Sequence, residues 1–357
     1  MAQPRKTSGN PAVRARPKAT PTSDSGKNHP QPRTTTGHGP SVASRWTRPQ
    51  DGSPYPLTLA GEFDGPPDMT TRLTAAIFAV LVLVAYAIVV PVINTAIIYL
   101  GYVVESPGVG WAAYSAGAND FTTVWGVLGA HLSLACMILV VWAFFRFIHH
   151  RPLVWLWSVS PGPRWRYGIL CLIASLVLMG AYATYQGLTG GQGWDLIHGW
   201  GWYLVVIVVA TPFQALAEEV LFRGYLMQAL GSVVRNVWFP IIGSAVVFAI
   251  FHGLQNPWLF GSRLAFGILA GILVWRTGGL EAGVAIHVMN NICAFGLALA
   301  TGTISQLRTT TAVPWVQGVS DTASFAVCAV ACWGIAVGLK VPMRVKLGAA
   351  RTAGARI

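Results

Sequence analysis

The stretch that decides the fold is residues 199–224, GWGWYLVVIVVATPFQALAEEVLFRG. The residues before Glu218 are almost all apolar, over about the 20 residues that an α-helix needs to cross the hydrocarbon core of a bilayer. Glu218 and Glu219 follow directly. A carboxylate at the centre of a membrane helix costs about 2.5–3.5 kcal/mol on insertion scales. The adjacent pair therefore predicts a polar interior that serves chemistry or transport.

The composition indicates a membrane protein. Of the 357 residues, 54% are hydrophobic and only 10% are charged, and the mean hydropathy is +0.54. A soluble domain carries about 25% charged residues. These values exclude an ordinary soluble enzyme and predict an all-α, polytopic membrane helix bundle with a soluble extension.

Eight apolar segments follow Arg72, so we expect about eight transmembrane helices. The first contains Pro91, and the sixth, which follows Arg263, is the shortest. The segments are 73–100, 122–147, 167–189, 199–227, 238–254, 264–275, 280–300 and 322–340.

The segments outside these spans are polar and basic. The first fifty residues are rich in Pro, Ser and Thr and contain nine Lys or Arg but a single acid, Asp24. This composition is typical of disorder and has no signal-peptide core. We therefore predict three regions: a disordered basic cytoplasmic tail at 1–71, a transmembrane helical domain at 72–340, and a basic cytoplasmic C-terminal tail at 341–357.

The distribution of positive charge predicts the orientation in the membrane. If both termini are cytoplasmic, only Arg263 and Arg308 lie in loops on the other side. This agrees with the positive-inside rule. It also accounts for the net charge of +12 without a nucleic-acid partner. We expect an integral protein of the cell membrane, with the lipid bilayer as its surroundings.

The fourth segment predicts a division of roles between the two acids. Glu219 and Arg223 are i, i+4 neighbours on a helix and can form an ion pair. Glu218 is rotated by about 100° from Glu219 and shares a face with Gln214. Glu218 is then free to face a cavity, although a helix end that reaches the headgroups would leave both acids solvated.

Two later segments each add polar groups. His252 follows Phe248 by four residues at the end of the fifth segment, and His287 and Asn291 share one face of the seventh. Each of these sites alone also fits structural hydrogen bonding between helices. We expect His131 to serve packing.

Other polar residues are expected at the membrane surface. Glu281, at the start of the seventh segment, is predicted to be interfacial, and His149 and His150 are predicted to be solvated in a basic loop. The motif Gly267-x-x-x-Gly271 is typical of a close-packed helix face.

The three polar motifs together resemble those of a known family. Glu-Glu-x-x-x-Arg, Phe-x-x-x-His and His-x-x-x-Asn occur in this order within residues 218–291. They are similar to the motifs of the CPBP intramembrane proteases, the group that contains the type II CAAX prenyl endopeptidases and the bacteriocin-processing or immunity (Abi) proteins. The resemblance covers about residues 199–300, which we expect to form the protease-like core.

This resemblance implies an endopeptidase that uses an activated water molecule on a peptide or membrane-associated protein substrate. Glu218 is the expected general base, and His252 would orient the water. His287 and Asn291 would donate hydrogen bonds to the developing oxyanion. The active site is expected to open to the cytoplasmic side.

The resemblance also implies supporting residues and leaves the cofactor open. Glu219 is counted with the expected catalytic residues. Together with the supporting Arg223 it would hold the helix end and tune Glu218, beside Phe248 of the second motif. Members of the family are named as metalloproteases, and Glu218, His252 and His287 are candidate zinc ligands. A metal-free glutamate mechanism fits the same residues, and no His-Glu-x-x-His motif is present.

Two other functions fit the same polar residues. A proton- or cation-coupled transporter would use the acids and histidines as a relay. A non-catalytic membrane immunity or scaffold protein would keep them for packing alone.

Overall fold

The computed structural model describes residues 49–60, 69–160, 162–191, 193–254 and 256–347. All secondary-structure elements in this part of the chain are helices. The α-helices are α1 (Met69–Glu105), α2 (Trp111–Asn119), α3 (Val124–Ala135), α4 (Met137–Ala143), α5 (Val154–Trp157), α6 (Trp165–Thr189), α7 (Trp200–Glu219), α8 (Met227–Val233), α9 (Trp238–Phe251), α10 (Pro257–Thr277), α11 (Glu281–Ala300), α12 (Gln306–Thr309) and α13 (Trp315–Gly338). A 3₁₀ helix (Tyr55–Ala60) precedes them, and π-helical turns follow α4 (Phe144–Ile148) and α7 (Val220–Leu226).

The predicted membrane bundle is confirmed. Seven helical stretches in the described residues are long and apolar enough to cross a bilayer, and α9 is a shorter apolar helix. The outward faces of α1, α6 and α13 carry many exposed apolar side chains, such as Val92, Val177 and Val330. Such faces are stable against lipid but not against water. The protein is an integral membrane protein.

Several helices extend beyond the predicted apolar segments. The sixth span, α10, begins at Pro257 instead of residue 264 and passes through Arg263. Its start is fixed by Asn256, whose side chain accepts hydrogen bonds from the backbone N–H groups of Trp258 and Leu259. The first helix continues through Pro91. The charge of Arg263 was therefore a poor marker of a helix end, whereas Pro91 lies inside a helix, as the predicted segment 73–100 required.

The bundle has two distinguishable ends. At one, which we call the terminal end, Val345 N–H donates to the Ser53 carbonyl (3.0 Å) and Leu280 N–H to the Trp157 carbonyl (3.0 Å). At the other, the opposite end, Asp195 N–H donates to the Ala300 carbonyl (3.1 Å). The connections at 106–123, which include α2, at 193–199, and at 301–314, which include α12, lie at this opposite end.

The predicted disorder of residues 1–71 is wrong for 49–60. Tyr55 and Leu59 are buried, and the Thr58 hydroxyl bonds to the Gln228 side chain (2.7 Å). These contacts fix the 3₁₀ helix against α8. Most of the remaining tail, at 1–48 and 61–68, and the end of the C-terminal tail, at 348–357, lie outside the described residues.

Two residues expected at the membrane surface are buried. Glu281 forms an ion pair with Arg164 and also accepts from Trp157 Nε1 (3.0 Å), so it joins α11 to the start of α6. His149 packs against Tyr225, with 2.9 Å between Nε2 and the phenol oxygen, and burial lowers the pKa of His149 to about 4. Both residues therefore hold elements together at the terminal end.

Small residues bring α9 and α10 close together, as the sequence predicted. A Cβ atom at Gly267 would lie 2.8 Å from the Ala245 Cβ, and one at Gly271 would lie 3.0 Å from Ile241 Cγ2. Real Cβ atoms almost never lie as close to a neighbour as the first distance, and the second is tighter than most observed contacts. The close approach sets the position of α9, and therefore of His252 at its end.

Candidate active site

The site is built on the last turns of α7. Gln214, Glu218 and Glu219 are all buried there, and α7 passes into a π-helical turn at Val220. Single π-helical turns inside α-helices are rare and are frequent at functional sites. The two acids lie within the bundle instead of at a solvated helix end.

Glu219 is neutralised by an arginine on its own helix. Arg223 Nη1 lies 2.8 Å from Glu219 Oε1, and both side chains are 0% exposed. The guanidinium also lies over the rings of Phe248 (4.2 Å) and Phe266 (5.2 Å). A desolvated cation–π contact of this kind is worth about 2 kcal/mol. The predicted i, i+4 pair is present, and Phe248 supports it.

His287 of α11 lies between the two carboxylates. Its Nδ1 is 2.8 Å from Glu219 Oε1, and its Nε2 is 3.4 Å from Glu218 Oε2. The bond to an ionised Glu219 places a proton on Nδ1, since a carboxylate only accepts. The other ring nitrogen is thereby directed at Glu218.

His252 approaches Glu218 from a third helix. It follows the last residue of α9, and its Nδ1 is 2.8 Å from the Phe248 carbonyl, so Nδ1 carries the proton. Its Nε2 is 3.8 Å from Glu218 Oε2. The His252 side chain is 28% exposed, whereas that of Glu218 is 5% exposed. His252 is therefore the partly exposed member of the pair, and Glu218 is the enclosed one.

Asn291 is held one helical turn beyond His287. Its amide nitrogen donates to Gln214 Oε1 (2.8 Å), and its oxygen accepts from the Asn290 amide (3.0 Å). An amide group has two N–H donors, so one remains for another acceptor. Asn290, which the sequence analysis did not select, belongs to the same group.

A cavity of about 410 Å³ adjoins these side chains. His252, His287 and Asn291 line it, and so do Gln186 near the end of α6 and Leu307 of α12. The cavity thus extends toward the opposite end of the bundle. A site that opens at the cytoplasmic side and termini on that same side were both predicted. The two predictions are incompatible, because the cavity extends away from the terminal end.

The cavity also contains polar residues that the sequence analysis missed. Tyr182 and Gln186 of α6 and Gln317 and Asp321 of α13 line it, together with Arg263. Asp321 precedes the apolar segment 322–340 by one residue, so it was taken to lie outside the span. The helix instead begins at Trp315, which places Asp321 within it.

Among the described residues, no group of three His, Cys, Asp or Glu side chains is arranged to hold a metal ion. Zinc ligands lie about 2.0–2.2 Å from the metal. The bond from His287 Nδ1 to Glu219 leaves Nε2 available as a ligand, since metal-bound histidines commonly donate their other ring nitrogen to a carboxylate. His131 is buried, with Nδ1 2.7 Å from the Val127 carbonyl of its own helix, which fits the expected packing role.

Comparisons with known proteins agree with the motifs. A model for type II CAAX prenyl endopeptidases, described as Rce1-like, matches residues 200–293. The uncharacterized protein YyaK of Bacillus subtilis (strain 168) is 27% identical over 168 residues, which is 43% of this chain. The match covers 56% of that relative's length. No solved structure matches significantly. The predicted resemblance is therefore confirmed over residues 200–293, which are similar to the type II CAAX prenyl endopeptidases of the Rce1-like family.

Proposed function

We propose that the protein is an intramembrane endopeptidase in which Glu218 activates a water molecule to hydrolyse a peptide bond. The observation that carries this proposal is the convergence of three side chains from α7, α9 and α11. Glu218 Oε2 lies 3.4 Å and 3.8 Å from the Nε2 atoms of His287 and His252. His252 and His287 line a cavity that has room for a short peptide segment, and Glu218 lies behind their rings, outside that lining.

The contacts of Glu218 suit a general base. Its Oε2 is buried and accepts no hydrogen bond from the described residues, whereas Glu219 is paired with Arg223. A water molecule beside Oε2 would donate one proton to Glu218 and be oriented by His252. Positioned general-base catalysis contributes about 10²–10⁴-fold in rate.

Attack by this water on the substrate carbonyl creates an oxyanion, which needs donors. The second N–H of Asn291 is one such donor. The Nε2–H of His287 is another when the imidazole ring is protonated. Glu218 then delivers the proton that it took from water to the leaving amine. The C–N bond breaks, and the products are a carboxylic acid and an amine.

Glu219 and Arg223 act through His287 instead of touching the substrate. The 2.8 Å bond from His287 Nδ1 to Glu219 fixes the ring orientation. Arg223 compensates the Glu219 charge, so this acceptor stays ionised inside the bundle. We derive no step through a metal ion from these contacts.

The test compares membrane peptides from cells that carry the wild type, Glu218→Gln or Glu105→Gln. Glu105 is an exposed acid at the end of α1, so its variant controls for the loss of one carboxylate. We expect a cleavage product that disappears only in Glu218→Gln, at equal protein level. If no product disappears and vesicles show proton-coupled uptake instead, the site belongs to a transporter.

A further inference from the structure

Four polar side chains form one wall of the cavity on helices that flank the family segment. Tyr182 and Gln186 lie on α6, and Gln317 and Asp321 lie on α13. We call this group the α6–α13 wall. Both helices lie outside residues 200–293. The wall is therefore contributed by this chain's own flanking spans, and the catalytic motifs do not require it.

The wall presents one carboxylate to the cavity. Asp321 Oδ1 accepts hydrogen bonds from the Tyr182 hydroxyl (2.6 Å) and the Gln317 amide (2.9 Å). Gln317 in turn accepts from Gln186 (2.9 Å). Two donors on one oxygen stabilise an ionised carboxylate. In the described residues no hydrogen bond reaches the second oxygen, Oδ2, and no ion pair includes Asp321.

A carboxylate inside a membrane domain is costly unless it is paired or faces a polar cavity. Asp321 faces the cavity without a cationic partner in the described chain. A ligand cation placed at Oδ2 would supply that partner, and charge-assisted hydrogen bonds are roughly twice as strong as neutral ones. The Oδ2 atom of Asp321 therefore favours a ligand group that carries positive charge.

A second charge lies in the cavity beside the reacting groups. Arg263 lines the same cavity, and its Nη1 donates to the His252 carbonyl (2.7 Å). Beside His252 the charge of Arg263 is opposed by the carboxylate of Glu218. Asp321 has no such counter-charge among the described residues, so a positive group on the substrate is attracted to Asp321.

We propose that the α6–α13 wall is a specificity subsite that binds a Lys or Arg side chain of the peptide substrate through Asp321. This inference rests on the proposed endopeptidase function. The competing explanation is that the four side chains only join α6 to α13. Hydrogen bonds that only join the two helices would stabilise the protein, and they would not make it prefer one peptide substrate over another.

The experiment measures binding in the Glu218→Gln background, which binds without cleaving. The probes are Leu- and Ala-rich nonapeptides with a neutral fluorophore and a single Lys, norleucine or Glu placed in turn at each position. Fluorescence anisotropy in nanodiscs compares Asp321→Asn, which keeps an acceptor oxygen but removes the charge, with Asp120→Asn. Asp120 is an exposed acid at the opposite end and serves as the matched control.

We expect one placement at which Lys binds about tenfold more tightly than norleucine, the effect of one hydrogen bond to a charged group. Asp321→Asn removes this preference, and Asp120→Asn keeps it. Equal binding of Lys and norleucine, equal weakening of all peptides by Asp321→Asn, or no peptide binding at all would overturn the subsite. If the peptides show a Lys preference but the wild-type protein cleaves none of them, the proposed hydrolysis is contradicted and the subsite is not.

Discussion

Glu219 and Arg223 form a fully buried ion pair, with 2.8 Å between Oε1 and Nη1 and no exposed surface on either side chain. The pair lies on consecutive turns of one helix, yet it supports a histidine on another. It neutralises the carboxylate that orients His287. The pair therefore connects the local geometry of α7 to the candidate active site.

Loss of Arg223 should destabilise the protein strongly. Arg223→Met leaves Glu219 charged and uncompensated, which costs about 3–5 kcal/mol for a buried pair. Thermal unfolding in detergent, followed by tryptophan fluorescence, measures the change. The double variant Glu219→Gln/Arg223→Met should recover much of the stability. A single variant as stable as the wild type would contradict the buried pairing.

The two histidines should separate activity from stability. His252→Gln and His287→Gln should each lower the cleavage rate by roughly 10²-fold or more. Only His287→Gln should also lower the unfolding temperature, because His287 is buried and bonded to Glu219, whereas His252 is partly exposed and bonds to its own helix. Rates at saturating substrate and melting curves on the same samples test this. Equal destabilisation by both variants would argue against it.

Gly267 should tolerate no side chain. Gly267→Ala places a Cβ 2.8 Å from that of Ala245, and overpacking of this kind costs about 1–3 kcal/mol. It should also displace α9 and reduce activity through His252. Gly261→Ala on the same helix is the control, because a Cβ atom at Gly261 would meet no other atom within 4 Å. The prediction fails if both variants behave alike in melting and cleavage assays.

Chelation should leave the reaction unchanged. The mechanism above assigns water activation to Glu218 and uses no metal ion. Purified protein treated with 1,10-phenanthroline is expected to retain its cleavage rate, measured against an untreated sample. Loss of activity that added Zn²⁺ restores would instead assign Glu218, His252 and His287 to a metal centre.

The opposite end of the bundle should face away from the cytoplasm. The positive-inside rule predicts this orientation from the basic loops. Thr309→Cys, exposed at that end, should react with a membrane-impermeant maleimide in intact cells, and Met343→Cys, exposed at the terminal end, should react only after permeabilisation. The native cysteines lie within the membrane spans. Labelling of the wild type measures any background reaction from them. Reversed labelling would place the cavity on the cytoplasmic side.

Local sequence predicted what depends on spacing within one helix. The long apolar runs predicted the membrane spans, because hydrocarbon accepts only long apolar helices. The i, i+4 spacing predicted the bond between Glu219 and Arg223, and the small residues of α10 predicted a close packing face. The sixth span was predicted too short, since Arg263 looked like a boundary. Arg263 donates a hydrogen bond to the His252 carbonyl, which lies at the end of another helix, so spacing along α10 could not predict this contact.

The sequence by itself determined the class of protein, the helices and the residue types available for chemistry. Only the tertiary structure decided which of them meet. His252 reaches Glu218 because α9 is short, Asn291 is held by Gln214, and Asp321 turns into the cavity with Tyr182. Helix periodicity fixes positions along one axis, whereas packing between helices fixes the distances across them, and those distances make the site.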